Sequence, residues 1–180
     1  ETLPGALIIH PVISVEGFNV GDEVECSINQ QRRNKNTTMH TAQHIVAAIA
    51  NDLYGAETVG NQISEEYTRI DLLFEDRDKF IQSDLEQSVN DIIKSNKNVN
   101  IHNWDRELIL SHEQMRHTKF MDRIPSSITQ LRVVEIEDVD LCPCGGTHVD
   151  NTSKLNEINI TNVKSKGSGK LRLSYNLNNR

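Results

Sequence analysis

The chain has 180 residues, of which 36% are hydrophobic and 25% charged, with a net charge of −7. That balance suits one well-buried core and excludes a disordered chain; no apolar run approaches the ~18 to 20 residues of a membrane-spanning helix. Three cysteines, Cys26, Cys142 and Cys144, exclude the disulfide framework of a small secreted domain. The opening ETLPGALIIHPV lacks the basic region and long apolar run of a signal peptide, so a reducing cytoplasmic setting is expected. The acidity argues at first against a nucleic-acid partner, but charge is uneven. From Lys154 onward, six basic residues face one acidic residue, Glu157.

Residues 1–30 read as strands, ALIIHPVISV and then FNVGDEVECSI, the latter alternating at Val24, Cys26 and Ile28. They are too few to bury a core alone, so they either complete a partial β-barrel module or pack on the next elements of the chain. NQQRRNKNTT (29–38) reads as a polar linker. A helix is expected from Thr37 or Thr38, either of which can cap it, through MHTAQHIVAAIANDLY to a stop before Gly55. Its apolar face is Ile45, Ala48, Ile49 and Leu53. His40 and His44 lie one turn apart on another stripe, with Ala47 and Asn51, so their rings look into something other than the core.

Further on, TRIDLLF (68–74) reads as a strand and DKFIQSDLEQSVNDIIKSN (78–96) as a helix with Phe80, Ile81, Leu85, Val89, Ile92 and Ile93 inward. NVNIHNWD (98–105) reads as a strand and RELILSHEQMRHTK (106–119) as a third helix. LRVVEIEDVDL (131–141) reads as one strand leading into CPCGGTH, and INITNVKS and KLRLSYNL close as a hairpin around GSG. Strands and helices do not strictly alternate, which favours an α+β layered sheet over a doubly wound one.

HTAQH lets two histidines of one helix share a metal ion, but it lacks the Glu of the HExxH metalloprotease motif and hence that mechanism's general base. CGGTH supplies a thiolate at Cys144 and an imidazole at His148 across a turn that Gly145 and Gly146 make sterically cheap. Either motif alone is as readily a pair of packed or surface residues. Together they form a mixed nitrogen and sulfur set suited to one Zn²⁺.

HTAQHIVAAI, followed about 100 residues later by CGGTHVDNT and then KSKGSGKLRL, resembles the alanyl-tRNA editing family. That family comprises the editing domain of alanyl-tRNA synthetase and its free-standing AlaX relatives, related more distantly to the threonyl-tRNA synthetase editing domain. The resemblance runs from about Asn19 to Tyr175, including YGAETVGNQI and YTRIDLLF. It implies a two-layer α+β sandwich of an antiparallel-rich sheet and helices, with a partial N-terminal β-barrel module (1–30) ahead of the zinc-containing editing domain (31–180). It also implies zinc held at the catalytic centre by His40, His44, Cys144 and His148, and hydrolysis of tRNA(Ala) mischarged with serine or glycine. The alternative is a non-catalytic, zinc-stabilised tRNA-binding domain, or an editing-domain fragment of a larger synthetase.

Three departures stand out. The family's Gly-rich segment in the upstream barrel is missing, as expected of a trimmed chain. Gln43 stands where synthetase editing domains often carry Thr, and Cys142 adds a thiol two residues before the expected ligand, as a strand-end residue or an alternative donor. A pocket that accepts serine and refuses alanine needs polar groups left unpaired by alanine; Gln43, Asn61, Gln62 and Thr147 are the candidates, with Thr147 equally able to pin its turn. Either a zinc-bound water attacks the ester, or zinc positions the substrate while a separate water attacks. Under this resemblance Lys164, Lys166, Lys170 and Arg172, extended by Arg32, Arg33 and Lys35, are expected to hold tRNA phosphates without reading sequence.

Overall fold

The computed structural model describes residues 2–3, 7–8, 10–115, 121–122 and 124–178. It is an α+β fold with antiparallel sheets and few helices. Two-residue strands β1 (Thr2–Leu3) and β2 (Leu7–Ile8) pair with each other. From residue 10 to 29 the chain then runs without regular structure and fully exposed. Of the barrel strands expected over 1–30, only this short pairing is present among the described residues. FNVGDEVECSI has the alternation of a strand but, among the described residues, no neighbouring strand or face to bury it, and such a segment does not hold strand structure alone.

Helix α1 (Gln30–Tyr54) starts well before the expected Thr37 or Thr38. Asn29 caps it by accepting from the Arg32 backbone N–H at 2.9 Å, and the Gln, Arg and Lys residues that read as a linker are good helix formers forming its exposed first two turns. Gly55 ends it in the left-handed conformation, φ 63°, its N–H reaching Ala50 and Asn51 carbonyls. Every residue from Thr41 to Ala48 is buried, so the helix is covered on all sides through its middle. Leu53, assigned to the apolar face, is half exposed one residue before the end.

One antiparallel sheet has the order β3 (Glu57–Ile63), β4 (Thr68–Leu73), β9 (Lys170–Leu177), β8 (Ile158–Ser165). The other has the order β5 (Val99–Asp105), β6 (Gln130–Ile136), β7 (Asp140–Pro143). LRVVEIEDVDL is therefore two strands, not one: Asp138 adopts positive φ, 59°, which Asp tolerates and which reverses the chain. The main core joins α1, the four-stranded sheet, α2 (Gln82–Lys94) and the inner face of the small sheet through Val134 and Ile136. On the outer face Leu131, Val133 and Leu141 pack with Ile109 and Met121 into a second cluster. Ile109 comes from α3 (Arg106–Ser111), shorter than the expected helix, whose 116–119 portion lies outside the described residues.

Helix α2 presents Leu85, Val89 and Ile93 to the core, while Ile81, expected inward, sits exposed at the cap. Buried Asn90 instead fastens α2 to β8, donating to the Ile158 carbonyl at 3.1 Å and accepting from its N–H at 2.8 Å. Truncating Asn90 leaves both backbone groups unpaired. Asn90→Ala should cost about 2 to 3 kcal/mol in urea unfolding, against under about 1 kcal/mol for Ile81→Ala despite its larger apolar side chain.

Candidate metal centre

The buried middle of α1 faces the CGGTH turn that follows β7. The ligand atoms of His40, His44, Cys144 and His148 all lie within 4.8 Å of one another. Cys144 Sγ is 3.5 Å from His40 Nε2 and 3.4 Å from His148 Nε2. A tetrahedral zinc site with Zn–S of about 2.3 Å and Zn–N of about 2.0 to 2.1 Å separates sulfur from nitrogen by about 3.6 Å. The donor set and its spacing fit zinc.

The surrounding residues fix which nitrogen each ring offers. His44 Nδ1 lies 2.9 Å from a carboxylate oxygen of fully buried Asp140, so its proton belongs there and Nε2 is left for a metal. Thr41 does the same for His148. Its hydroxyl donates to the Thr37 carbonyl at 3.1 Å and accepts from the Val149 N–H; His148 Nδ1, 3.2 Å away, then donates to it, leaving Nε2 toward Cys144. Gly146 closes the arrangement: a Cβ there would sit 2.2 Å from His40 Cε1. The ring occupies the space any side chain would need.

Charge follows the same contacts. Burial opposes charge on His44, but the hydrogen bond to Asp140, aided by Cys144, holds its imidazole up at about 9. Burial also opposes the Cys144 thiolate, yet the three histidines carry the thiol down to about 3. For His148 burial prevails, and the ring is pushed down to about 4. Cys142 is different: burial, with Asp140 and Cys144 nearby, pushes its thiol well above the usual range. It lines the adjoining cavity and stands outside the donor cluster.

That cavity, about 570 Å³, is bordered by His40, His44 and Cys144 and also by Gln43, Thr58, Asn61 and Arg132. Gln43 is only 5% exposed and borders the cavity. The Thr58 hydroxyl is buried and has no hydrogen-bond partner among the described residues. Both Thr58 and Asn61 point inward because β3 carries a bulge between Thr58 and Gly60; the pairings Thr58↔Leu72 and Asn61↔Ile70 put them on the core side. Gln62, opposite Arg69, falls on the outer face and does not border the cavity. Thr147 binds the Thr37 hydroxyl at 2.8 Å, pinning the turn to α1, and also lies outside the cavity lining.

The basic residues divide. Lys164 and Lys166 are exposed on the β8–β9 hairpin, with Lys170 half-buried beside them. Arg172 makes a two-pronged ion pair with Asp71 on β4, at 2.6 and 2.7 Å. Arg33 and Lys35 lie exposed on the first turns of α1, and Arg32 pairs with Glu65 at 3.2 Å. The sequence pattern did not single out Thr41, Thr58, Arg132 or Asp140. An alternation count could have marked Arg132, which shares a face of β6 with Val134 and Ile136.

Residues 131–174 match the threonyl and alanyl tRNA synthetase second additional domain. An alanyl-tRNA editing protein AlaX-M of Saccharolobus solfataricus is 35% identical, covering 93% of this chain and 70% of its own. The chain belongs to the alanyl-tRNA editing family. A second AlaX-M, from Methanosarcina mazei, is also 35% identical over 90% of this chain. The chain spans about two thirds, 64 to 66%, of the length of that protein and its Methanosarcina barkeri counterpart. An alanine–tRNA ligase of Methanococcus maripaludis is 30% identical over 94% of this chain, which matches 19% of the ligase. The same editing-family sequence thus occurs both in AlaX proteins and inside a synthetase. No described helix is long and apolar enough to cross a membrane.

Two measurements test the centre. Gly146→Ala should weaken zinc binding on the order of 10- to 100-fold in a chelator competition, as losses of a supporting contact do, whereas Gly145→Ala, with nothing within 4 Å of its Cβ, should not. Below pH 9 the metal-free His44 holds a proton that must leave before Nε2 can bind. Apparent zinc affinity should therefore rise about tenfold per pH unit from 7 toward 9 and then level, with no added slope from Cys144, already a thiolate there.

Proposed function

We propose that this chain is a trans-editing aminoacyl-tRNA deacylase that hydrolyses Ser-tRNA(Ala), and secondarily Gly-tRNA(Ala), on an editing-domain α+β sandwich. Its reacting centre is the zinc set His40, His44, Cys144 and His148. One observation carries the substrate assignment: the amide residue Gln43, 5% exposed, borders the same cavity as three of the four metal donors. A serine hydroxyl satisfies that amide, with Thr58 and Asn61 close by on the cavity wall. An alanine side chain offers it no hydrogen-bond partner, a difference that polar sites convert into rejection.

Bound at the four donors, zinc supplies Lewis acidity to polarise the ester or the polar groups of the substrate. The chain's own residues do the rest. Asp140 and Thr41 hold the histidine rings in the ligating tautomer, Gly146 admits the His40 ring, and Gln43 orients the seryl group. The exposed Lys164 and Lys166, with Lys170, hold acceptor-end phosphates; Arg33 and Lys35 extend the track. Arg172, already neutralised by Asp71, contributes less than its position in the sequence suggests. The residues from 31 onward form the editing unit and the preceding segment belongs to a barrel module. The match to part of a ligase supports the second reading, an editing-domain fragment of a synthetase, which keeps the same chemistry.

Purified protein should release serine from Ser-tRNA(Ala) faster than a chelator-treated control and leave Ala-tRNA(Ala) intact. His40→Ala or Cys144→Ala should abolish release, and Gln43→Leu should reduce the rate on the seryl substrate about 10- to 100-fold while sparing the glycyl one. Equal rates with and without chelator would sink the metal-dependent reading, and undiminished serine preference in Gln43→Leu would sink the assignment of Gln43.

A further inference from the structure

Arg132 brings a guanidinium to the cavity wall. Its place is set by the sheet register. Val133 pairs with Pro143 and Val134 with Cys142, so Arg132 stands opposite Cys144 and shares the inner face of β6 with Val134 and Ile136. Where those two enter the core, Arg132 emerges into the cavity. The two residues are tied twice: the Cys144 N–H donates to the Arg132 carbonyl at 3.1 Å, and Arg132 Nη1 donates to the Cys144 carbonyl. The guanidinium is thereby fixed beside the residue whose sulfur sits in the donor cluster.

Among the described residues this cation has no carboxylate partner. It forms no ion pair there, unlike Arg32, Arg77 and Arg172, and no described Asp or Glu borders the cavity. A half-buried guanidinium with one hydrogen bond to a carbonyl keeps four N–H donors for something else, and its planar fork matches the oxygens of a phosphate. At about 570 Å³ the cavity falls within the about 300 to 1,000 Å³ that encloses a drug-sized ligand, more than an amino acid alone requires.

We infer that Arg132 binds the phosphate 5′ to the terminal ribose that carries the aminoacyl ester, so that the ester is registered against the donor cluster from its nucleotide side. The inference rests on the deacylase reading for the identity of the ligand. A fixed phosphate contact one nucleoside away from the scissile bond serves any amino acid equally. It sets position, and Gln43 sets choice.

Two pairs of probes test it: 3′-O-seryl-adenosine with and without a 5′-phosphate for hydrolysis, and the corresponding non-hydrolysable 3′-seramido compounds for calorimetric binding. The wild-type protein should prefer the phosphorylated member of each pair by about 10- to 100-fold, the range of a hydrogen bond to a charged group. In Arg132→Met that ratio should fall to near 1, and Arg132→Lys should keep part of it. The ratio is internal to each variant, so a general loss of fold does not mimic the result. A wild-type ratio near 1 overturns the inference, as does a ratio that persists in Arg132→Met while both members fall together, which would place the guanidinium at the ester. Should the wild-type protein hydrolyse no seryl compound, the deacylase reading fails by itself, and the binding ratio still decides whether Arg132 holds the phosphate.

Discussion

The covering of α1 on all sides between Thr41 and Ala48 is the constraint that builds the site. A helix buried against the four-stranded sheet alone would present His40 and His44 to water. Here the small sheet closes over the other side, and the turn after β7 lands on the histidine stripe. Thr41 is the contact that fixes the landing, because one hydroxyl joins the helix backbone, the Val149 N–H and the His148 ring. Halves of a donor set about 100 residues apart are thus brought together by core packing, with hydrogen bonds setting the last ångström.

Asp140 shows how closely fold and site are joined. It opens β7, is fully buried, and places its carboxylate on His44. A buried carboxylate without a partner is costly, and the neighbouring imidazole removes that cost while gaining orientation. The same strand carries Cys142, whose thiol is kept neutral by burial, two residues from Cys144, whose thiol is ionised. Two cysteines of one strand end are therefore chemically unlike: a neutral thiol on the cavity wall and an ionised one in the donor cluster.

The donor set was legible in the sequence because its signal is local: four-residue spacings in HTAQH and CGGTH, with a glycine where the His40 ring needs space. The strands β4, β5, β8 and β9 were legible from alternation. What escaped depends on register or on partners distant in the chain. NQQRRNKN reads as linker because it has no apolar period, yet an Asn cap and good helix formers suffice to wind it. FNVGDEVECSI has the right period and, among the described residues, no strand to pair with. Arg132 looks like a solvent-facing strand residue until β6 is seen to be buried on both faces. Thr58 and Asn61, an odd number of positions apart, cannot be put on one side by counting in twos.

That last irregularity sets a rule for how this pocket could change. The wall beside the metal centre is written in the phase of β3 relative to β4, and the bulge at Val59 resets that phase by one residue. Removing one residue there would turn Asn61 outward or Thr58 away, exchanging wall chemistry. Selectivity in this scaffold can thus shift through the length of one edge strand, without a change at any of the four metal donors.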